Sequence, residues 1–220
     1  MNNDPLGVRR ECFVFSEIIQ AGNIPSKYRN KIVFISKKLI FFDLLIKGQE
    51  LSQEICFILR SIIYDFLSCF IAISERRERY VQVNLRSLVE HAARLQLRDV
   101  IDESIDRSYI TKDKLDLLKS SFGRKHWNYM HQVYKEACLF IHSSPKSGIE
   151  LHTTYLEIES GDRCINYKKY CNIMEKTCVI VSSIVTEQYG SQIINLFLRT
   201  KTELEYLLGK EKVGQIWTLT

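Results

Sequence analysis

The chain has 220 residues, enough for one well-packed domain or one domain with a C-terminal extension, and 45% of them are hydrophobic and 26% charged. That balance excludes a disordered chain, and with only 9 Gly and 3 Pro it excludes a β-sandwich, which needs a turn signal roughly every 8–12 residues. A net charge of +5 permits contact with RNA, DNA or acidic lipid, but clustering decides such contacts more than the total does.

Helical periodicity predicts an all-α fold: a bundle of four to five long helices plus short ones. It reads as a single helical domain over 1–220 with its core at about 26–208. The first helix is expected from Asp4 or Pro5 to about Ala21, ending at Gly22-Asn23-Ile24-Pro25. Ser26 is an N-cap candidate for the second, which runs to Ile46 before Lys47-Gly48. Ile32, Val33, Phe34, Ile35, Leu39, Phe41, Phe42 and Leu45 make it apolar almost all round, the pattern of a central, buried helix. The third helix spans Leu51 or Ser52 to Ser74. It is the nearest approach to a membrane span, but Arg60 and Asp65 near its middle are expensive in lipid, so a buried bundle helix and no membrane span are expected.

The fourth helix covers about Arg76 to Arg98 and begins with the densest basic run, Arg76-Arg77-Glu78-Arg79. Such a run reads first as a solvated connector and helix face. From Asp99 to Thr111 the pattern fades into a loop or short helix. A short helix from Thr111 closes at Phe122-Gly123, and a longer one runs from about Lys125 to His142. Lys146 to Asp162 is the one weakly β stretch, with His152 to Ile158 as a single strand or an ordered loop. Closing helices are expected at about Cys164–Glu187 and Gly190–Leu208, followed by an apolar tail that docks.

Seven Cys occur without CxxC spacing, mostly inside apolar stretches where a thiol acts as a small hydrophobe. Cys164, Cys171 and Cys178 repeat every seven residues, about 10 Å apart along a helix, which suits core packing and not a shared metal. No metal and no cofactor are expected. A reducing, cytoplasmic location fits this cysteine usage, and Asp4, Arg9 and Arg10 interrupt any apolar leader.

The residues with chemistry gather on two helices. On the fourth, Arg86, Glu90 and Arg94 fall at i, i+4 and i+8 and form one polar stripe with His91 beside it, while Val81, Leu85, Leu88, Ala92 and Leu95 take the neighbouring apolar face. On the Lys125–His142 helix, His131, Lys135, Cys138 and His142 share a face, with Tyr134 on an adjacent stripe. If these helices pack together, Glu90 pairs with His142, and Arg86 and Tyr134 complete a hydrogen-bonded cluster. Such a cluster either fixes helix register or carries chemistry.

The pattern Arg86-x-Leu88-x-Glu90, followed by Tyr134-x3-Cys138-x3-His142-Ser143, resembles an uncharacterised branch of the HEPN-like helical proteins over roughly residues 30 to 145 plus a closing helix. In that branch a serine is expected where Cys138 stands. The resemblance implies a four- or five-helix bundle and a prokaryotic defence or toxin–antitoxin setting. In HEPN nucleases an Arg, a polar residue and then a His, with four to six residues between the Arg and the His, cut RNA without metal across a homodimer. The imidazole assists attack of the ribose 2′-OH, and the guanidinium stabilises the extra negative charge. Arg86-Ser87 with His91 matches that spacing, with Ser87 where Asn, Asp or His is usual; Arg124 and His131 form a second pair.

Three functions follow as expectations. The first is a toxin or effector that is a metal-independent endoribonuclease, with RNA as substrate, Arg86 as phosphate stabiliser and His91 as general base. The second is a non-catalytic interaction module, an adaptor or antitoxin-like partner of an enzyme encoded nearby. The third is a nucleotide-binding regulatory domain. A homodimer is expected with the first.

Overall fold

The computed structural model describes residues 4–98, 110–149 and 151–218. Among the described residues there are eleven α-helices, two single-turn 3-10 segments (Ser26–Tyr28 and Pro145–Ser147) and no strand, an all-α helical bundle. The helices are α1 Val8–Ala21, α2 Arg29–Lys47, α3 Gln53–Ser74, α4 Glu78–Leu97, α5 Lys112–Ser121, α6 Arg124–Ile141, α7 Tyr155–Ser160, α8 Tyr167–Gln188, α9 Gly190–Phe197, α10 Lys201–Leu208 and α11 Lys210–Thr218. Five of them (α2, α3, α4, α6 and α8) are long, at 18 to 22 residues. The loop or short helix expected at Asp99–Thr111 falls almost wholly outside the described residues.

Four expectations about elements change. The weakly β stretch contains the short helix α7 and not a strand. Thr154 accepts from the Glu157 N–H, and the Glu157 carboxylate accepts from the Thr154 N–H; this capping box outweighs the β propensity of the threonines. The last expected helix breaks at Leu198-Arg199-Thr200, where the Thr200 carbonyl accepts the N–H groups of Glu203 and Leu204 and starts α10. The C-terminal tail is itself helical, and α11 buries Val213 and Ile216. Finally, Cys164 lies before α8 and is exposed, while Cys171 and Cys178 are buried, so only two members of the seven-residue stripe pack in a core.

The chain divides into two compact units, Met1–Ile63 with Met174–Thr220, and Tyr64–Ile173. The divisions fall within α3 and α8, so each of these helices contributes to both units. In the first unit α2 packs on α1 and α10, and α11 packs on α9 and α10. Phe41, Phe42 and Phe197 are fully buried there, with the Phe41 and Phe197 rings 6.3 Å apart. Lys38 is also buried in this unit, and its Nζ donates to the Leu207 carbonyl at 2.7 Å, satisfying one of the acceptors a helix end leaves open. Burial lowers its pKa to about 8.

The second unit is built on α4, which packs on α5 and α6 and buries Val81, Leu85, Leu88, Val89, Ala92 and Leu95. Both α3 and α6 end here in Schellman turns. At the first, Arg76 N–H bonds the Ile73 carbonyl and Arg77 N–H the Ala72 carbonyl; at the second, Ser143 bonds Phe140 and Ser144 bonds Leu139. Arg76 (φ 57°) and Ser143 (φ 49°) hold the left-handed position that glycine usually takes. Among the described residues α3 is the one helix long and apolar enough to cross a membrane, and 56% of its most apolar window is buried inside the protein.

Candidate polar site along the fourth helix

Three polar groups follow one another along α4, all inside the second unit. At its start, buried Gln82 donates to the Tyr170 hydroxyl at 2.9 Å, and that hydroxyl donates in turn to Glu78. Burial, and then the acceptor Glu78, push the Tyr170 phenol far above its usual range, so it stays a donor. This chain ties the first turns of α4 to the start of α8. Alongside it, Lys169 pairs with Glu136 of α6.

The middle group holds three of the predicted residues. Arg86 Nε donates to Glu90 Oε1 at 3.0 Å along the helix, and the guanidinium lies 5.4 Å from the Tyr134 ring centroid. Burial opposes the Arg86 charge, but the bond to Glu90, with Tyr134 and Cys138 beside it, outweighs that and holds its pKa above the ordinary value. The Tyr134 phenol is raised by burial against the pull of Arg86. Arg86 and Glu90 keep 32% and 22% side-chain exposure, so the group borders solvent. It joins α4 to α6 as the stripe pattern predicts.

His142 does not join it. The residue caps α6 through its backbone N–H, which bonds the Cys138 and Phe140 carbonyls, and it is exposed. Glu90 is answered by Arg86 in its place. The predicted Glu90–His142 pairing is thereby corrected: the helix ends one residue too early to keep the imidazole on the inner face.

His91 belongs to the third group, on another side of α4. Five residues along a helix turn a side chain by about 140°, so His91 faces away from Arg86. Its Nε2 lies 3.6 Å from Asp65 Oδ2 of α3, and its Nδ1 lies 3.5 Å from Arg94 Nη1. A guanidinium only donates, so Nδ1 is the acceptor and Nε2 holds the proton. Burial, and then Arg94, lower the His91 pKa to about 4. Burial likewise raises Asp65 to about 6, against a hydrogen bond with Ser87 and with some help from Glu90. The contact therefore joins a carboxyl to a neutral imidazole and is not an ion pair. Asp65 was visible in the sequence as a lone carboxyl in an apolar helix, a signal that a polar partner waits on a neighbour.

The second Arg/His pair lies seven residues apart in α6, a separation of about 10 Å along the axis. Arg124 is exposed on the first residue of α6, while the His131 pKa is lowered by burial and by Lys119 of α5 and Lys135, with Asp116 opposing. Among the described residues no group of three or more His, Cys, Asp or Glu side chains is arranged to hold a metal ion. In comparisons with family models, with curated proteins and with solved structures, nothing matches the chain.

Proposed function

We propose that the chain is a HEPN-like helical module of a prokaryotic defence or toxin–antitoxin system that works by holding a partner, not by cutting RNA with Arg86 and His91. The setting rests on the Arg86-x-Leu88-x-Glu90 and Tyr134-x3-Cys138 resemblance. The non-catalytic role rests on the state of His91. A general base for 2′-OH attack needs a free lone pair facing the substrate. The Nδ1 lone pair of His91 is turned to Arg94, its Nε2 to Asp65, and its pKa of about 4 leaves it a weak base.

An interaction role has support of its own. Tyr64, Ile71 and Tyr80 are each more than half exposed and line one groove with Ser68 and Asn84, and uncovered apolar patches mark contact surfaces more often than chance. On this reading the partner is a protein encoded by a neighbouring gene, and the location is the cytoplasm.

The ribonuclease reading keeps one observation in its favour, the part-exposed Arg86 guanidinium, which is able to meet a phosphate. Incubating the purified protein with total RNA in EDTA separates the two. The interaction reading expects no cleavage from the wild type, and co-purification with the neighbouring gene's product. Metal-free cleavage that disappears in folded His91→Gln and Arg86→Gln proteins would overturn it.

A further inference from the structure

The second unit carries a second His–Asp contact that the groups along α4 do not use. It sits at the open end of the unit, where α3 stops, α4 starts and the chain returns from α6 through residues 151–162. Asp162 organises this corner. Its Oδ2 accepts the Glu78 N–H at 2.7 Å, capping α4, its own N–H bonds the Arg76 carbonyl, and its Oδ1 lies 3.2 Å from His152 Nε2. Arg76 and Arg77 clamp the returning segment through the Ser160 and Ile158 carbonyls. Gly161 makes the approach feasible: at φ +72°, a Cβ there would lie 2.5 Å from the Glu75 carbonyl oxygen.

Between these pieces lies a cavity of about 170 Å³. Arg77, Arg79 and His152 form its polar side, and Tyr80, Ile149 and Leu151 its apolar side. We propose that this cavity binds a nucleotide, its phosphate on Arg79 and Arg77, its ribose hydroxyl on His152 and its base against Tyr80.

Four observations support the assignment. A guanidinium has five N–H donors. Arg79 has one bond, to the Ile141 carbonyl, and Arg77 has two, to Glu75 and the Ile158 carbonyl, so donors remain on both, and those bonds hold the guanidinium planes in place. Among the described residues the carboxylates at this corner are already engaged, Glu75 by Arg77, Asp162 by His152 and Glu157 by the Thr153 and Thr154 N–H groups; Arg79 has only a carbonyl and retains its charge for an anion. A carboxylate accepts and does not donate, so Asp162 fixes the His152 proton on Nε2 and leaves Nδ1 as an acceptor for a ligand hydroxyl. Tyr80 is 55% exposed at the rim, and an open aromatic face beside arginines is how proteins stack a base next to its phosphate. The start of α4 contributes nothing here, since Asp162 already caps it.

The test is calorimetric titration of the full chain with the four nucleoside 5′-monophosphates, with the matching nucleosides, with inorganic phosphate and with a single-stranded RNA oligomer. At least one monophosphate is expected to bind saturably, and the nucleoside and phosphate alone at least tenfold more weakly. Arg79→Gln and Tyr80→Ser should each weaken it at least tenfold, with unchanged circular dichroism. Tyr80 is a surface residue, so its variant keeps the test valid should Arg79→Gln fail to fold. Absence of binding by all four monophosphates at millimolar concentration would overturn the proposal. So would phosphate binding as tightly as the nucleotide, affinity indifferent to both substitutions, or RNA binding far more tightly than any monomer. None of these readouts depends on RNA cleavage or on a protein partner.

Discussion

Two histidine–aspartate contacts lie in one unit of this protein, and they are built for opposite ends. His91 and Asp65 are 13% and 9% exposed and 3.6 Å apart; His152 and Asp162 are each 16% exposed and 3.2 Å apart. Burial barely distinguishes them, and only the outer contact is within hydrogen-bond reach. What differs is the far side of each imidazole. Arg94 faces the His91 Nδ1 and closes that ring into the helix packing, whereas the ring of His152 borders a cavity with two arginines and a tyrosine. A His–Asp contact becomes useful only when the nitrogen it does not use has somewhere to go.

The strongest way to break the comparison is at Gly161. Its left-handed backbone and the nearby Glu75 carbonyl make Gly161→Ala costly, about 3 kcal/mol. Hydrogen exchange should show protection lost at the Asp162 and Glu78 N–H groups while the α4–α6 amides near Arg86 keep theirs. Next comes His91→Ala, expected to cost about 1–3 kcal/mol in urea unfolding, because it removes the acceptor facing the Arg94 guanidinium and empties a largely buried position beside Asp65. A neutral outcome there would mean the inner contact holds nothing together.

The titrations sharpen the contrast further. His91 has a folded pKa below its ordinary 6.5, so its contribution is present above pH 6.5 and lost as pH falls toward 4. Asp65 is raised above 3.8, so its contribution is present below that and lost as pH rises through about 6. The two slopes oppose each other over the same window. Asp65→Asn should therefore leave stability rising from pH 4 to 6.5, and His91→Gln should leave it falling, each by at most about 1.4 kcal/mol per pH unit. Thermal melts at four pH values across the window measure both. Smallest of all is His152→Gln, expected to cost about 0.5–1 kcal/mol; a loss as large as that of His91→Ala would show the outer contact to be structural too.

Much of the fold was legible because helices declare themselves locally. The apolar run of α2 and the breaks at Gly48, Gly123 and Pro145 are readable one turn at a time. The Arg86–Glu90 pair was legible for the same reason, and Tyr134 followed once α4 and α6 were assumed to pack. The direction of His91 was not, since it depends on α3 supplying Asp65 to that side of α4, a fact of packing and not of spacing. His142 misled because a shared stripe says nothing about the last residue, where the backbone leaves the helix. The α7 capping box, Thr154 with Glu157, was in plain view but lay among β-branched and aromatic residues whose propensity favours strands. His152 and Asp162 stood ten residues apart in that same stretch and carried no motif at all.

The cap on α4 has a consequence in time. Asp162 lies 84 residues beyond the Glu78 N–H it accepts, and the other end of α4 carries no share of that bond. At a synthesis rate of about 5–20 residues per second, the first turn of α4 waits about 4–17 s on the ribosome before its acceptor exists. Until then the helix on which the second unit is built begins uncapped, and a segment made near the end of that unit closes its start.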